Sequence, residues 1–289
     1  MEKSKIGLVL EGGGMRGIYT AGVLDVFLDR GITFDGVIGV SAGAIHGASY
    51  LSSQRGRSLR YTEKYCSDPR FMSFRSLLTT GNIVGEDFCY RRIPLELEPY
   101  DFEAFKDCGV PLYAGVTNLL TGEAEYMRIE DMLEQTDVLR ASSSLPFVSK
   151  KVFIDNTPYL DGCCADSIPL EGFMDMGYER CVVVLTKPQG YECKPQNRLM
   201  TELFFRKYPK FRKALLERHN TYNRTVARIE ELEKQGKVFV IRPSEATAAG
   251  KMEHDPQKIR QTYELGVRDG ERLSEELERW LEGVSKNRL

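Results

Sequence analysis

The sequence predicts an α/β fold, a three-layer α/β/α sandwich around a mixed, mainly parallel central sheet. Short apolar runs typical of buried strands alternate along the chain with segments whose apolar residues have helical spacing. One pair of runs is joined by the turn Thr121-Gly122, which indicates a hairpin and makes the sheet mixed. With 289 residues, 42% hydrophobic and 28% charged, the chain can form one large domain, alone or with an extension.

The predicted elements begin with a buried strand at Ile6 to Leu10, followed by a glycine cluster. The next segment has a broad apolar face, and Gly31 is a natural end for that helix. The other predicted strands are Val37 to Val40, Val110 to Thr117, Glu123 to Arg128, Lys151 to Ile154, Cys181 to Thr186 and Val238 to Arg242. Ligands gather beyond the strand ends of such sheets, where the glycine-containing loops fall.

The segment Gly39-Val40-Ser41-Ala42-Gly43 follows the second strand and precedes a helical stretch of small residues. G-x-S-x-G in this position is the pattern of a nucleophile elbow, a strained turn that holds a serine hydroxyl clear of the backbone. We expect that a side chain at Gly39 or Gly43 would collide with the turn. Alone the pattern is weak, because a strand that ends in an ordinary glycine-containing turn has the same letters.

A second glycine cluster, Gly12 to Gly17, follows the first strand. Acyl transfer creates an oxyanion, and backbone N–H groups in a glycine-rich turn at a helix N-terminus can bind it. We therefore predict that Gly12, Gly13 and Gly14 form an oxyanion hole. Arg16 either adds positive charge there or anchors the loop to a carboxylate, and the sequence leaves both roles open.

Dinucleotide binding is an alternative for the same cluster, because Gly12, Gly14 and Gly17 also satisfy G-x-G-x-x-G after a strand. That fingerprint expects an acidic residue at the end of the second strand, to bind the ribose hydroxyls. Here that strand ends at Ser41, and Asp35 precedes the strand instead. The pattern therefore favours acyl transfer over a dinucleotide.

The general base is the next question, because the chain has only three histidines, His46, His219 and His254. His46 lies roughly 140° around the predicted helix from Ser41 and should not reach its hydroxyl. We interpret it as a packing or surface residue, and the other two, in charged stretches, as solvent-facing. A Ser-His-Asp triad through His254 is possible in chain order, but an aspartate acting directly is the preferred interpretation.

Asp161 is the candidate base, in a short apolar segment that runs from Tyr159 to Cys163. Gly162 directly after it permits a tight turn that would leave the carboxylate at a strand end. An ordinary Asp-Gly turn between strands is the alternative. The order and spacing of the three motifs together favour a catalytic aspartate.

With these motifs the chain resembles the patatin-like phospholipases, which are lipid acyl hydrolases with a Ser-Asp dyad. The family's G-G-G-x-R/K-G motif is matched by Gly12 to Gly17, and its nucleophile motif by Gly39 to Gly43. Its alanine- and serine-rich segment ending in proline is matched by Ala141 to Pro146, and its D-G-G/A turn by Asp161-Gly162. The likeness covers roughly residues 5 to 175, and the set is more specific than any one motif.

The resemblance implies a serine lipid acyl hydrolase of the phospholipase A or esterase type that needs no metal or other cofactor. Asp161 would accept the proton of Ser41, which attacks an ester carbonyl. The amides of Gly12 to Gly14, with Ala42, would hold the oxyanion, and water would release the acyl enzyme. A lipid or another ester is the expected substrate. A lipid-binding regulatory protein without catalysis is the alternative from another class.

Two positions depart from the family pattern. Cys163 stands where glycine or alanine usually follows D-G, and Asp166 stands where an asparagine often precedes the next proline, here Pro169. These departures leave open whether the turn around Asp161 keeps its usual shape, and whether Asp166 competes as a second carboxylate.

The domain organisation predicted from these boundaries is a patatin-like catalytic domain at residues 5–190 and a mostly helical extension at 191–289 packed on it. Lys258 to Gly283 has helical spacing, interrupted at Gly266 and Gly270, which indicates one or two packing helices. The role of the extension and the oligomeric state do not follow from the sequence.

The composition bounds the cellular location and partners. No hydrophobic segment follows Met1 to Lys5, and no stretch approaches the roughly 18 to 20 apolar residues of a membrane span, so we expect a cytoplasmic protein. Seven cysteines without regular spacing fit a reducing compartment. A net charge of −2 and the lack of nucleic-acid-reading motifs predict no nucleic-acid partner.

One basic stretch suggests a membrane surface. Lys194 to Arg218 contains eight basic and two acidic residues, a net charge of +6, and aromatic residues interleave with the charge from Phe204 to Lys213. Such a segment suits peripheral contact with an anionic lipid surface. An amphipathic helix packed on the core, with a solvated basic face, is the preferred interpretation.

Overall fold

A computed structural model describes residues 5–286 of the chain. Two short segments lie outside the described residues. They are residues 1–4, from the N-terminal stretch Met1 to Lys5, and residues 287–289 of the predicted extension. None of the described helices is long and apolar enough to cross a membrane.

Eight strands within residues 5–286 form one mixed sheet, in the order β5-β6-β3-β2-β1-β7-β8, with β4 also paired to β3. The strands are β1 (Ile6–Leu10), β2 (Gly36–Val40), β3 (Leu112–Asn118), β4 (Ala124–Ile129), β5 (Val152–Ile154), β6 (Thr157–Asp161), β7 (Arg180–Val184) and β8 (Val238–Ile241). The strands β3, β2, β1, β7 and β8 are parallel, and β4, β5 and β6 add the antiparallel pairs. The predicted mixed sheet is confirmed.

Helices cover both faces of this sheet. They are α1 (Ile18–Asp29), α2 (Ala42–Leu51), α3 (Arg57–Tyr65), α4 (Phe74–Thr80), α5 (Phe102–Asp107), α6 (Thr136–Ser142), α7 (Leu170–Asp175), α8 (Arg198–Phe204), α9 (Pro209–Lys234) and α10 (Pro256–Lys286), with a π-helical segment at Phe88–Leu97. Leu8 and Leu10 of β1 pack in one apolar cluster with α1, α2 and α10. Val9 packs on the opposite face with residues of α7 and α9. This alternation produces the predicted three layers.

The last described helix, α10, is continuous from Pro256 to Lys286, so the segment predicted as one or two helices is a single helix that passes through Gly266 and Gly270. A Cβ at Gly266 would lie 2.1 Å from the carbonyl oxygen of Tyr19. Glycine at this position therefore lets α10 approach α1 closely, and tertiary packing overrides its low helix propensity. The Tyr263 hydroxyl donates to Asp25 across the same contact, at 2.6 Å.

The C-terminal part of the chain also enters the sheet. β8 pairs in parallel with β7, with Val183 opposite Val240, so residues 191–286 supply a strand of the same sheet as well as the helices α8, α9 and α10. The boundary placed at residue 190 stays a prediction.

Candidate active site

Ser41 stands at the sharp turn between β2 and α2, with φ 56° and ψ −124°. A positive φ is strained for a residue with a side chain, and such strain is typical of a nucleophile elbow. A Cβ at Gly39 would lie 2.5 Å from the amide nitrogen of Ala44, and one at Gly43 would lie 2.5 Å from the carbonyl oxygen of Leu10. The two glycines therefore make room for the turn.

Asp161 lies against this serine, because β6 ends beside the carboxyl end of β3. The Ser41 hydroxyl donates a hydrogen bond to Asp161 Oδ2 at 2.9 Å. The other carboxylate oxygen, Oδ1, accepts the amide of Cys163 at 2.8 Å. Asp161 is fully buried and Ser41 is 5% exposed. The carboxylate is thus fixed by the D-G turn, with one oxygen directed at the serine.

The backbone of Asp161 is fixed as well. Its amide donates to the carbonyl oxygen of Ser144 at 2.8 Å, and the Thr117 hydroxyl donates to its carbonyl oxygen at 2.9 Å. A Cβ at Gly162 would lie 2.3 Å from the carbonyl oxygen of Gly115. The D-G turn therefore packs directly on β3 because residue 162 has no side chain.

Burial raises the pKa of Asp161 above the ordinary aspartate value. The Cys163 amide, the positive charge of Lys251 and the Ser41 hydroxyl act in the opposite direction, but they do not cancel the loss of hydration. A carboxylate with a raised pKa is a stronger base than a free aspartate. The environment therefore makes Asp161 a stronger base than an aspartate in water.

Ser142 supports the elbow, a role that the sequence did not predict. Its Oγ accepts the amide of Ser41 at 2.9 Å and donates to the carbonyl oxygen of Gly115 at 2.7 Å. The side chain is completely buried, so it bridges the strained turn to β3. The alanine- and serine-rich segment was its only signal in the sequence.

The backbone amides of the glycine loop are not equivalent. The amide of Gly12 donates to the carbonyl oxygen of Ser167 at 3.2 Å. Those of Gly13 and Gly14 have no hydrogen-bond partner within residues 5–286. Ala42 is the first residue of α2, where helix amides lack an intrahelical acceptor. The amides of Gly13, Gly14 and Ala42 are therefore the donors available to an oxyanion.

Arg16 and Gly17 follow in the same loop. The Arg16 Nε atom is buried without a hydrogen-bond partner, and no carboxylate within the described chain pairs with its guanidinium. A Cβ at Gly17 would lie 2.5 Å from the Ala42 Cβ, so this glycine lets the loop lie against the elbow. The sequence left open whether Arg16 adds positive charge to the oxyanion hole or anchors the loop to a carboxylate. The described residues contain no carboxylate that would act as this anchor.

The three histidines do not hydrogen-bond to Ser41 or Asp161 among the residues described. His46 is buried, and its Nδ1 lies 3.0 Å from Ser58 Oγ. Burial lowers its pKa to about 4, so this imidazole is neutral at physiological pH. His219 lies against the Leu216 carbonyl and His254 against the Cys66 carbonyl.

The two departures from the family pattern have structural explanations. Asp166 faces away from the serine, since its Oδ2 accepts the Tyr126 hydroxyl at 2.6 Å and its Oδ1 accepts the Ile168 amide at 3.1 Å. Cys163 contacts the glycine loop, because a Cβ at Gly12 would lie 2.4 Å from its Sγ. The Cys163 amide still caps Asp161, and Asp166 does not compete for Ser41.

Two cavities meet at Ser41. The first, of about 200 Å³, is largely apolar and lies between α2, α3 and the π-helical segment. Its lining includes Ile18, Ile45, Tyr61, Met72, Ile93, Met132, Leu139 and Leu145. The second, of about 290 Å³ and called the polar cavity below, is more polar than the first and is lined by the glycine loop, Asp161 and charged side chains of the C-terminal part. Gly14, Ser41, Leu145 and Lys251 line both.

The fold and the arrangement of Ser41 and Asp161 agree with one known protein family. Residues 8–174 match the model of the family described as patatin-like phospholipase, and the chain belongs to that family. Residues 208–282 match a second model, described as a domain of unknown function, DUF6363.

Individual relatives extend the comparison. The chain is 30% identical over 201 residues to uncharacterized protein YjjU of Escherichia coli (strain K12), over 68% of this chain and 56% of that protein. It is 27% identical over 197 residues to lysophospholipase nte1 of Aspergillus oryzae, over 64% of this chain and 12% of that protein. It thus spans about half of the first relative and a small part of the second. A crystal structure of VipD from Legionella pneumophila superposes with a TM-score of 0.46 and 14% identity, over 93% of this chain and 66% of that one.

Proposed function

We propose that this protein is a serine lipid acyl hydrolase of the phospholipase A or esterase type, with Ser41 as nucleophile and Asp161 as base. The observation that carries the proposal is the 2.9 Å hydrogen bond from the Ser41 hydroxyl to Asp161 Oδ2, made by a serine held at positive φ. The family membership and the activity named for the fungal relatives, lysophospholipases, support a lipid ester as substrate.

The first half of the reaction forms an acyl enzyme. Asp161 accepts the hydroxyl proton while Ser41 Oγ bonds to the ester carbonyl carbon. The amides of Gly13, Gly14 and Ala42 stabilise the oxyanion, and one such donor is typically worth ~3 kcal/mol. The carbonyl re-forms, the ester C–O bond breaks, and the leaving alcohol takes the proton back from Asp161.

The second half hydrolyses the acyl enzyme. Asp161 accepts a proton from water while the water oxygen bonds to the acyl carbon, and the same amides hold the second oxyanion. The bond to Ser41 Oγ then breaks, and Asp161 returns the proton to the serine. The products are a free fatty acid and the unchanged enzyme.

The two cavities suit the two parts of a lipid. The apolar cavity extends from Ser41 between α2, α3 and the π-helical segment, where an acyl chain can be removed from water at a gain of roughly 0.8 kcal/mol per methylene. The polar cavity on the other side holds the leaving group. A small polar ester would use only the second cavity, so the arrangement favours a lipid.

Peripheral contact with a membrane surface belongs to the same proposal. In and beside α8, Leu199 is 80%, Leu203 68% and Phe204 53% exposed, whereas Phe205 is only 7% exposed. The ring of Phe204 packs against Phe147 at 5.5 Å between centroids, and Phe147 directly follows Leu145 and Pro146, which line the second cavity. We propose that α8 and its basic neighbours contact anionic lipid beside the site.

The test is labelling by a fluorophosphonate, followed by intact mass, of the wild type and of Ser41→Ala, Asp161→Asn and Asp166→Asn. We expect one adduct on the wild type and Asp166→Asn, and none on the other two. Asp166 is the matched control, since it lies in the same loop but bonds to Tyr126. A folded wild type without an adduct would contradict the proposal and favour lipid binding without catalysis.

A further inference from the structure

The polar cavity contains more positive than negative side chains. Its charged lining residues are Arg16, Lys187, Lys194, Arg218 and Lys251, against Glu11, Asp161 and Glu192. Asp161 is already assigned as the base. The kind of ligand that the cavity can bind depends on which of the remaining charges are paired with another charge inside the protein.

Glu11 and Lys187 neutralise each other. Lys187 Nζ lies 3.5 Å from Glu11 Oε1, and both side chains are buried. The Tyr222 hydroxyl donates to the same carboxylate at 3.0 Å, and the Thr186 amide donates to its other oxygen. Glu11 is therefore fully engaged, and this pair adds no net charge to the cavity.

Arg218, on α9, has no carboxylate partner among the described residues. Its Nε donates to the Cys163 carbonyl oxygen at 2.5 Å, its Nη1 to Cys193 Sγ and its Nη2 to Ser167 Oγ, both at 3.3 Å. Each Nη atom has a second N–H that these contacts leave unused. The guanidinium is thus held in the wall beside the D-G turn, without an ion pair to a carboxylate in the described residues.

Arg16 and Lys251 add two further cations without an ion pair in residues 5–286. Arg16 Nε is buried without a partner. Lys251 is exposed at the point where the two cavities meet, and it is near enough to Asp161 for its charge to lower the pKa of that carboxyl. Arg16, Arg218 and Lys251 therefore line the cavity beside Ser41 without an ion pair in the described residues, and Lys194 adds an exposed positive charge at its rim.

We propose that this polar cavity binds a phosphate, and that the substrate is an anionic phospholipid or lysophospholipid rather than a zwitterionic or neutral lipid. This inference rests on the proposed function. Arginine and lysine bind phosphate oxygens by charge-assisted hydrogen bonds. Because the phosphate of a glycerophospholipid is only a glycerol away from its ester, cations beside Ser41 meet it when the carbonyl is at the serine.

The cavity offers little to a cationic head group such as choline. Glu11 is neutralised, Asp161 must remain free to act as base, and Glu192 is exposed at the rim. Two aromatic rings line the cavity, Tyr191 and Tyr222, and an ammonium group could stack on either. Lys187 Nζ already lies over Tyr191, 5.3 Å from the centroid, and Tyr222 is buried with its hydroxyl bonded to Glu11. The charge distribution therefore favours a head group that is wholly anionic.

The residues of this subsite come largely from outside the matched catalytic model. Arg218 and Lys251 lie within residues 208–282, the region matched by the second model, whereas Ser41 and Asp161 lie within residues 8–174. The C-terminal part of the chain thus determines the head group, and the N-terminal part performs the reaction.

The experiment measures equilibrium binding to Ser41→Ala, so that no turnover occurs. The probes are lysophosphatidylglycerol, lysophosphatidylcholine and monoacylglycerol with one acyl chain, each below its micellar concentration, and inorganic phosphate. We expect the anionic lipid to bind ~10-fold more tightly than the other two lipids. Adding Lys251→Gln or Arg218→Gln should remove most of that preference, and Lys234→Gln, an exposed lysine of α9 outside the cavity, should retain it.

The possible outcomes are distinct. Equal binding of the three lipids, or a preference that both cavity variants retain, would overturn the subsite. Inorganic phosphate that binds as tightly as the anionic lipid would show an ion site without a role for the lipid. Lys251→Gln alters an exposed side chain, so its result stands even if Arg218→Gln fails to fold. Wild-type turnover is measured separately, and anionic preference without turnover would refute the hydrolase but retain the subsite.

Discussion

The amide of Met15 donates a hydrogen bond to the carbonyl oxygen of Lys251, 3.1 Å away. This bond joins the glycine loop that follows β1 to the segment between β8 and α10. The adjacent Gly14 has φ +59°, and a Cβ there would lie 2.6 Å from the same Lys251 oxygen. The candidate oxyanion loop is therefore shaped by a contact with a distant part of the chain.

Gly14→Ala should reduce kcat/KM for a soluble ester by ~100-fold or more, because the methyl group would displace the loop and its amides from the oxyanion. The measurement is steady-state hydrolysis of a short-chain ester. Gly31→Ala is the matched control. Gly31 also has positive φ, +65°, but a Cβ there would have no atom within 4 Å, so that variant should lose only ~1 kcal/mol of stability and retain activity. Similar activity of the two variants would contradict the assignment of the loop.

The pH dependence of kcat/KM should show an acid limb above the ordinary aspartate pKa of about 4. Asp161 accepts a proton only when ionised, and burial raises its pKa, so activity is present above that raised pKa and lost as pH falls through it. Lys251→Gln removes a charge that lowers this pKa. It should move the limb to higher pH when an uncharged ester is the substrate.

The raised pKa of Asp161 also makes the stability of the protein depend on pH. A carboxyl whose pKa is raised in the folded state binds its proton more tightly there than in the unfolded chain, so the free energy of unfolding falls as pH rises through the two values. Asp161→Asn does not titrate. Its melting temperature relative to wild type should therefore increase as the pH is raised from about 4 to about 8. A constant difference would contradict the raised pKa of Asp161.

Ser142→Ala should lower kcat by about 10- to 100-fold and change KM little. The variant leaves the buried amide of Ser41 without an acceptor, at a cost of roughly 1–3 kcal/mol, and loosens the elbow from β3. Stopped-flow acylation with a chromogenic ester measures the step directly. Ser144→Ala is the control, because the Ser144 hydroxyl donates to the Arg140 carbonyl and not to the elbow. Equal acylation rates in the two variants would show that Ser142 does not support the reactive position of Ser41.

Leu199→Ser with Leu203→Ser should weaken binding to anionic vesicles by ~10-fold or more, because each buried leucine contributes roughly 1.5–3 kcal/mol. Vesicle co-sedimentation measures binding, and thermal unfolding should remain unchanged. Phe205→Ser is the contrasting variant, since Phe205 packs on Phe211 in the core, and it should lower the melting temperature. Full vesicle binding by the double variant would refute the docking surface.

Much of the catalytic half could be predicted from the sequence because its constraints are local. The strand Ile6–Leu10 was predicted with its observed bounds, and Gly39 is required by the backbone of Gly43 and Ala44, only a few residues away. β6 was not among the predicted strands, because Pro158 and its short length obscure the pattern. Gly266 was interpreted from helix propensity, whereas its contact with α1 determines its role.

The remaining site residues could not be predicted because their positions depend on contacts far apart in sequence. Ser142 meets Ser41 across 101 residues, and no short pattern marks that distance. Arg218 appeared only as one charge in a basic stretch, and Lys251 had no signal. Their neighbours are set by how α9 and the segment after β8 pack on the sheet, which is tertiary information.

The bond between Met15 and Lys251 also affects when the protein can first become active. Lys251 is synthesised 210 residues after Ser41, and β8 and α10 complete the sheet and the helical layer at similarly long range. A nascent chain on the ribosome, even with the whole N-terminal half extruded, lacks the contact that shapes the glycine loop. Because such long-range contacts form late in folding, we expect the glycine loop to take its final shape, and Ser41 to become reactive, only after the C-terminal part has emerged.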